Sequence, residues 1–305
     1  MSKHAFVWLL IVVVVLLAGL HGTVRAEEDK WDWSREAAIG QEADASIAKE
    51  AKFAQDEQAL AHVQQVLAAA VARSEYPQAQ YQVSLLDDPD PNAFAVPGAV
   101  KNADGSYGPG GHLYVTTGLL RKVRSDHELA GVLAHEVAHE CHHDVIRQIE
   151  RDARVQERSA WVTAVAVALA IGGQLDTASL VYVAGEAIRI SRFHQYSVTL
   201  ETEADETAVR YLAQGPYSPV GLLTFLEQLS TSSTSGGQDP GIFQTHPDYP
   251  ERIVSLIRVL HRDGIAINRR VATNAPGPQV SQAEIGGTVV YQVKVEDVVV
   301  FSAPN

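Results

Sequence analysis

His135 and His139 stand four apart in Leu133-Ala134-His135-Glu136-Val137-Ala138-His139, and on a helix that spacing puts both side chains on one face. Two imidazoles so placed form a chelate for a tetrahedral ion such as zinc. Glu136, beside the first, is placed to take a proton from a water on such an ion and pass it to a leaving amine. One stretch therefore offers two metal ligands and a general base. The same string also occurs as ordinary helix, so a third ligand has to be found.

Leu200-Glu201-Thr202-Glu203-Ala204-Asp205 supplies a candidate, with Glu201 62 residues after His139. Glu201 and Asp205 are again four apart and face the same way on a helix. One carboxylate can bind the metal while the other accepts the free ring N–H of a ligand histidine; Glu203 points elsewhere. Alone, such a pair is mostly solvated charge, and only its place after the histidine motif makes it informative. His142 and His143 are turned away from the face of His135 and His139. Cys141, the one cysteine, excludes an intramolecular disulfide and reads as a small buried apolar residue. His246 precedes Pro247, which holds it in extended backbone, outside a helix and able to point inward.

The elements around these residues follow from pattern. Ser125 and Asp126 are N-cap candidates, with Glu128 in the first turn, and Leu129, Val132, Leu133 and Val137 are spaced to face a core. Ser34 to Arg73 is one broken or two consecutive helices. Tyr81 to Leu85 alternates as a strand before the turn Asp87-Asp88-Pro89-Asp90-Pro91, whose prolines and spacing do not make a calcium loop. Pro109 to Gly118 contains a short strand leading to the histidine helix. It is either a core strand or one that offers a free edge to a peptide, and position alone leaves both open.

The apolar segment from Trp161 to Ile171 has eleven residues, too few to cross a bilayer as a helix. With Leu180 to Ile190 it reads as a helical hairpin, packed over the site or touching a membrane surface. Val220 to Leu229 is a helix, Ser230 to Gly241 a mobile linker, and a further helix runs to His261. Residues 264–280 carry no strong pattern, and Val289 to Phe301 reads as one or two strands.

The chain has 305 residues, 46% hydrophobic and 20% charged, the composition of an ordinary globular protein. Lys3, the apolar run from Ala5 to Leu20 and Val24-Arg25-Ala26 read as an export signal over residues 1–26, or as an uncleaved anchor. Removing that segment takes away Lys3 and Arg25 and no acid, leaving 22 basic against 37 acidic side chains. Nucleic acid is excluded as a partner by that charge.

Five motifs, NAFAVPG, PGGHLYVTTGLL, HEVAH, ETEAD and THPDYPERI, occur in one order between Glu36 and Leu260. In this the chain resembles the zinc peptidase family of the CAAX prenyl endopeptidases, HtpX, Oma and BepA, and looks most like its soluble exported branch. The resemblance implies one Zn2+ per chain on His135, His139 and Glu201, with Glu136 as general base and Asp205 orienting a ligand histidine. It makes the strand carrying His112, Leu113, Tyr114 and Val115 a substrate-binding edge. It assigns His246 an approach to the metal, as a latency ligand or in the transition state, and Arg252 a role in fixing its loop or polarising a carbonyl. Ala99 to Gly108 looks like an insertion relative to the family.

The resulting expectation is an α+β fold, predominantly helical and zincin-like, with a small mixed β-sheet carrying the substrate edge. Residues 27–262 form the peptidase domain and 263–305 a C-terminal extension with strands. The expected function is an exported zinc endopeptidase acting on unfolded or misassembled polypeptides, with a membrane surface as a second setting. The alternative is a chaperone-like binding protein with a closed or structural zinc site.

Overall fold

The computed structural model describes residues 33–155, 175–192, 196–234 and 249–274, together with the backbone of three strands between residues 279 and 302. The 1–26 segment, the Trp161 to Ile171 stretch and His246 lie outside the described residues.

Two consecutive helices open the described chain, α1 (Trp33–Glu50) and α2 (Glu57–Val71). Asp56 caps α2 by accepting from the Ala59 N–H at 2.9 Å, satisfying one of the orphan donors of a helix start. A three-stranded mixed sheet follows: β1 (Gln80–Leu86), β2 (Ala93–Lys101) and β3 (Tyr107–Thr116). Then come α3 (Thr117–Lys122), α4 (Asp126–Cys141), α5 (Asp144–Val155), α6 (Thr177–Arg192), α7 (Val198–Leu212), α8 (Val220–Thr234), α9 (Tyr249–Arg262) and α10 (Arg269–Ala272). The fold is α+β and mostly helical.

The strand order is β1-β3-β2, which overturns one expectation. β3 is the central strand, parallel to β1 and antiparallel to β2, so His112, Leu113, Tyr114 and Val115 have no free backbone edge to offer. The edges belong to β1 and β2; the β1 edge is partly taken by Ala54, whose N–H donates to the Leu85 carbonyl at 2.9 Å. The residues between Ala99 and Gly108 lengthen the β2–β3 hairpin, Lys101 pairing with Tyr107. At its tip Asp104 accepts from the N–H and hydroxyl of Ser106, and Gly105 takes a φ of 86° that suits a residue without Cβ.

Period-two alternation sends the sheet's two faces to different helices. Val83, Leu85, Ala93, Ala95, Leu113 and Val115 join Leu129, Leu133 and Val137 of α4 in the main core. On the other face Phe94, Val96 and Tyr114 pack with Ala43 and Ile47 of α1. α4 is thus clamped by the sheet on one side and by α8 on another. A methyl at Gly221 would lie 2.0 Å from the His127 carbonyl oxygen, and one at Gly131 2.6 Å from the Leu222 nitrogen, so these glycines permit a backbone-close crossing.

Two boundaries move. α8 runs through Thr234, so Ser230 to Thr234 are helix rather than linker. The buried row Leu222, Phe225, Leu226 and Leu229 carries the helix forward, and Thr231 satisfies its hydroxyl on the Gln228 carbonyl. The main core also continues past residue 262. Ala272 belongs to it, with Ile265 and Ile267 packed against it, and the Ser125 hydroxyl donates to the Ala272 carbonyl. Beyond lie three strands, β4 (Gln279–Ile285), β5 (Thr288–Val295) and β6 (Val298–Ser302), in an antiparallel sheet of order β4-β5-β6. β4 had no sequence signal because its apolar residues are outnumbered by Gln, Ser and Glu.

Candidate metal centre

Ser125 starts α4 by accepting from the Glu128 N–H at 3.2 Å, and every residue from Glu128 to Cys141 is buried. His135 and His139 therefore project from a helix that has no exposed face along its second half. Their Nε2 atoms are 3.0 Å apart and their rings nearly perpendicular, at 87°. Glu201, on α7, brings one carboxylate oxygen to 3.5 Å from His135 Nε2 and the other to 3.7 Å from His139 Nε2. The ligand atoms of these three residues all lie within 4.8 Å of one another.

Carboxylates on the far side of each ring set the direction of the lone pairs. Asp205 Oδ1 is 2.9 Å from His135 Nδ1, and Asp144 Oδ2 is 2.7 Å from His139 Nδ1. A carboxylate can only accept, so both Nδ1 atoms carry protons, and as neutral imidazoles the two rings would turn their Nε2 lone pairs toward the Glu201 oxygens. Three acceptors facing one another in a dry pocket repel unless a cation lies between them. Burial pushes the His135 imidazole down, yet Asp205 and Glu201 outweigh it and raise it to about 10, another sign that positive charge is favoured here. The donor set, two imidazoles and one carboxylate, suits zinc.

Glu136 is 2% exposed. Burial, with the Glu201 charge adding, raises its carboxyl to about 8 against the pull of His135. It also accepts a hydrogen bond from the Ala95 N–H. That contact locates the sheet edge. The Asn92 carbonyl accepts from the Thr116 N–H at 2.9 Å, so in the antiparallel alternation Phe94 and Val96 turn their backbone groups to β3 while Ala93, Ala95 and Pro97 turn theirs outward. The outward edge of β2, not β3, borders the candidate base.

Arg252, at 1% exposure the largest fully buried side chain among the described residues, comes from α9. Its Nη1 is 2.6 Å from Glu201 Oε2, and Nε and Nη2 donate to Asp205 at 2.8 and 2.7 Å. The guanidinium thus ties two carboxylates of α7 together. Its charge and hydrogen bonds hold Asp205 below the usual carboxylate range although burial acts the other way. This geometry joins Arg252 to the ligand scaffold rather than aiming it at a substrate carbonyl.

The remaining candidates are placed elsewhere. His112 is half-buried against α1, its Nε2 2.9 Å from the Ser84 hydroxyl and its Nδ1 3.1 Å from Asp44, and it stacks on Tyr114. The Tyr114 hydroxyl donates to Asp44 at 2.6 Å, while Leu113 and Val115 fill the core under α4. His143 binds Glu36 at 2.9 Å. Burial pushes the Cys141 thiol up to about 11. Asp144 is the functional neighbour that sequence reasoning missed. It stands beyond the end of α4 and returns to His139 because His143 adopts a left-handed φ of 56°, a turn that no glycine or proline announces.

The profile of peptidase family M48 matches residues 57–259, a span containing every residue of this centre. The mitochondrial metalloendopeptidase OMA1 of Schizosaccharomyces pombe is 28% identical over 192 residues, 63% of this chain and 50% of that protein. The β-barrel assembly-enhancing protease of Escherichia coli K12 is 31% identical over 144 residues, 45% of this chain and 28% of that one. The OMA1 metalloendopeptidase of Danio rerio is 24% identical, over 64% of this chain and 38% of its own length. The chain thus spans half or less of the length of these relatives. With the profile covering most of its described helices and the two-histidine, one-glutamate centre within that match, the chain belongs to peptidase family M48.

Proposed function

We propose that this protein is a zinc-dependent endopeptidase acting on polypeptides in an extended conformation. The observation that carries the reading is that buried Glu136 interacts with the charges of His135 and Glu201, two of the converging ligands, and accepts from the outward N–H of Ala95 on the β2 edge. A structural metal site has no use for a buried carboxylate beside it.

Zinc held by His135, His139 and Glu201 supplies a Lewis acid that acidifies a water and polarises a carbonyl. The chain's own residues do the rest. The outward groups of Ala93 pair with the substrate main chain, and the Ala95 N–H passes from Glu136 to a substrate carbonyl as the scissile bond seats beside Glu136. Glu136 takes the proton of the attacking water and delivers it to the leaving nitrogen. Asp205 and Asp144 keep the two imidazoles in the tautomer that points Nε2 inward, and Arg252 holds Glu201 and Asp205 in register. His246 remains a candidate for the metal's fourth position.

Export of the chain rests on its N-terminal sequence. An extracytoplasmic place also fits the relatives, one named mitochondrial and another named for β-barrel assembly. Among the described residues no helix is long and apolar enough to cross a membrane. Unfolded or misassembled protein is the substrate class that suits an edge-strand site, because a folded chain keeps most of its backbone groups already paired.

The near-complete burial of His135, Glu136, His139 and Glu201 favours, as a second reading, a closed centre in a protein that binds without cutting. One experiment separates them. Purified wild type and Glu136→Gln are loaded with zinc and incubated with casein. The peptidase reading expects zinc in both and cleavage only in wild type, with loss of two or more orders of magnitude on substitution. Zinc in both and cleavage in neither would sink it.

A further inference from the structure

We propose that Tyr196 is a positioning residue that sets the distance between His139 and Glu201 by tying the start of α7 to the His139 ring. The two histidines share one rigid helix, so their spacing is fixed within α4. Glu201 is on another helix and needs its own ties. One is Asp205, which reaches His135 from one turn after Glu201. The other lies on the opposite side: Tyr196 stacks on His139 with ring centroids 4.1 Å apart and planes within 15°. Glu201 sits between, five residues after Tyr196 and four before Asp205.

The tie is short and stiff. Ser197, next to Tyr196, is the N-cap of α7; its carbonyl accepts from the Glu201 N–H at 3.1 Å, and its own N–H donates to Gln148 Oε1 at 3.1 Å. A shift of Tyr196 along His139 therefore becomes a shift of the ligand carboxylate one turn on. Tyr196 is 5% exposed and packs with Ile39, Val145, Ile146, Val183 and Ile190, so the ring is backed by a core cluster separate from the one beneath α4. Its face also fixes the tilt of His139, which the hydrogen bond from Nδ1 to Asp144 leaves free to rock. An offset-stacked pair of rings has a preferred separation and orientation that an aliphatic side chain lacks.

The test reads the metal rather than the reaction. Zinc dissociation constants are measured by chelator competition, and visible spectra recorded after cobalt substitution, for wild type, Tyr196→Phe, Tyr196→Leu and Tyr196→Met. Tyr196→Phe keeps the ring and is expected within about twofold of wild type. The two aliphatic variants are expected to bind zinc about tenfold more weakly, with an altered cobalt spectrum. Val66→Ala, which removes packing from the main core and not from the Tyr196 cluster, is expected to lower Tm and leave both readouts unchanged. Folded Leu or Met variants with wild-type affinity and spectrum would reduce Tyr196 to core packing and overturn the proposal. So would a Val66→Ala variant that loses zinc equally. Because no readout depends on cleavage, the result stands whether or not the peptidase reading does.

Discussion

Asp144 Oδ2 lies 2.7 Å from His139 Nδ1, and the aspartate belongs not to the helix that carries the histidine but to the first turn of the next one. Its other oxygen receives Arg147 Nη1 at 2.6 Å. The metal centre is therefore anchored across a helix junction. His135 is anchored the same way, by Asp205 of α7, so each ligand histidine is oriented by a carboxylate from outside α4.

Removing that carboxylate tests its weight. Asp144→Asn keeps the size but weakens the acceptor, and zinc affinity is expected to fall about 10–100-fold by chelator competition. Arg147→Gln, one step further from the ring, is expected to cost less. An unchanged dissociation constant in Asp144→Asn would remove the residue from the centre.

Arg252 neutralises two buried carboxylates, and its loss leaves Asp205 with His135 and Glu201 with the metal side alone. Arg252→Gln is expected to destabilise the zinc-loaded protein by about 3–5 kcal/mol in urea unfolding. Arg252→Lys is not expected to rescue it, because one ammonium cannot reproduce a planar fork bound to Glu201 and Asp205 at once. A loss under about 1 kcal/mol in Arg252→Gln would show that the pocket tolerates their charge without the guanidinium.

How much of this was legible beforehand depended on whether the signal was local. His135, Glu136 and His139 declare themselves because helical spacing alone puts ligands and base on one element, and Glu201 with Asp205 repeat that spacing. The edge strand did not declare itself. PGGHLYVTTG and NAFAVPG are both strand-like, and which one lies outside is fixed by the parallel pairing of β1 with β3, a long-range choice with no local mark. Asp144 needed the left-handed backbone of His143, and Tyr196 needed a stacking partner 57 residues earlier. Arg252 stood in a motif, but its role could only be read from the two carboxylates it joins.

The metal-free protein has a pH dependence whose sign follows from two raised groups. Glu136 rises from 4.5 to about 8, so between those values the fold keeps a proton that the unfolded chain has released, and stability falls as pH rises. His135, raised from 6.5 to about 10, contributes stability that is complete below pH 6.5 and is lost as pH rises through about 10. The Tm of the metal-free protein is therefore expected to drop from pH 5 to 9, and Glu136→Gln to flatten the part below pH 8. The Glu136 share has an upper bound of roughly 5 kcal/mol. Zinc requires deprotonated ligands, so the gain in Tm on adding it is expected to grow over the same range. A metal-free Tm that is level or rising between pH 5 and 8 would contradict the buried carboxyl.

The β2 edge can be tested without altering any metal ligand. Ala95 turns its N–H away from β3 and toward Glu136, so a proline there removes no ladder hydrogen bond. Pro97, two residues on and facing the same way, already occupies such a position. Phe94, which would precede the new proline, is in a strand and meets the extended backbone that proline demands of its neighbour. Ala95→Pro should therefore fold and bind zinc, while Glu136 loses a donor that favours its charged form and a substrate strand loses one partner in the middle of the edge. Cleavage of an extended peptide is expected to fall at least tenfold in kcat/KM, with the acid limb of the pH profile moved upward. The corresponding proline at Phe94, whose N–H faces β3, should instead disrupt the sheet and lower Tm. Equal behaviour of the two variants, or full activity in Ala95→Pro, would mean that substrate does not add to this edge.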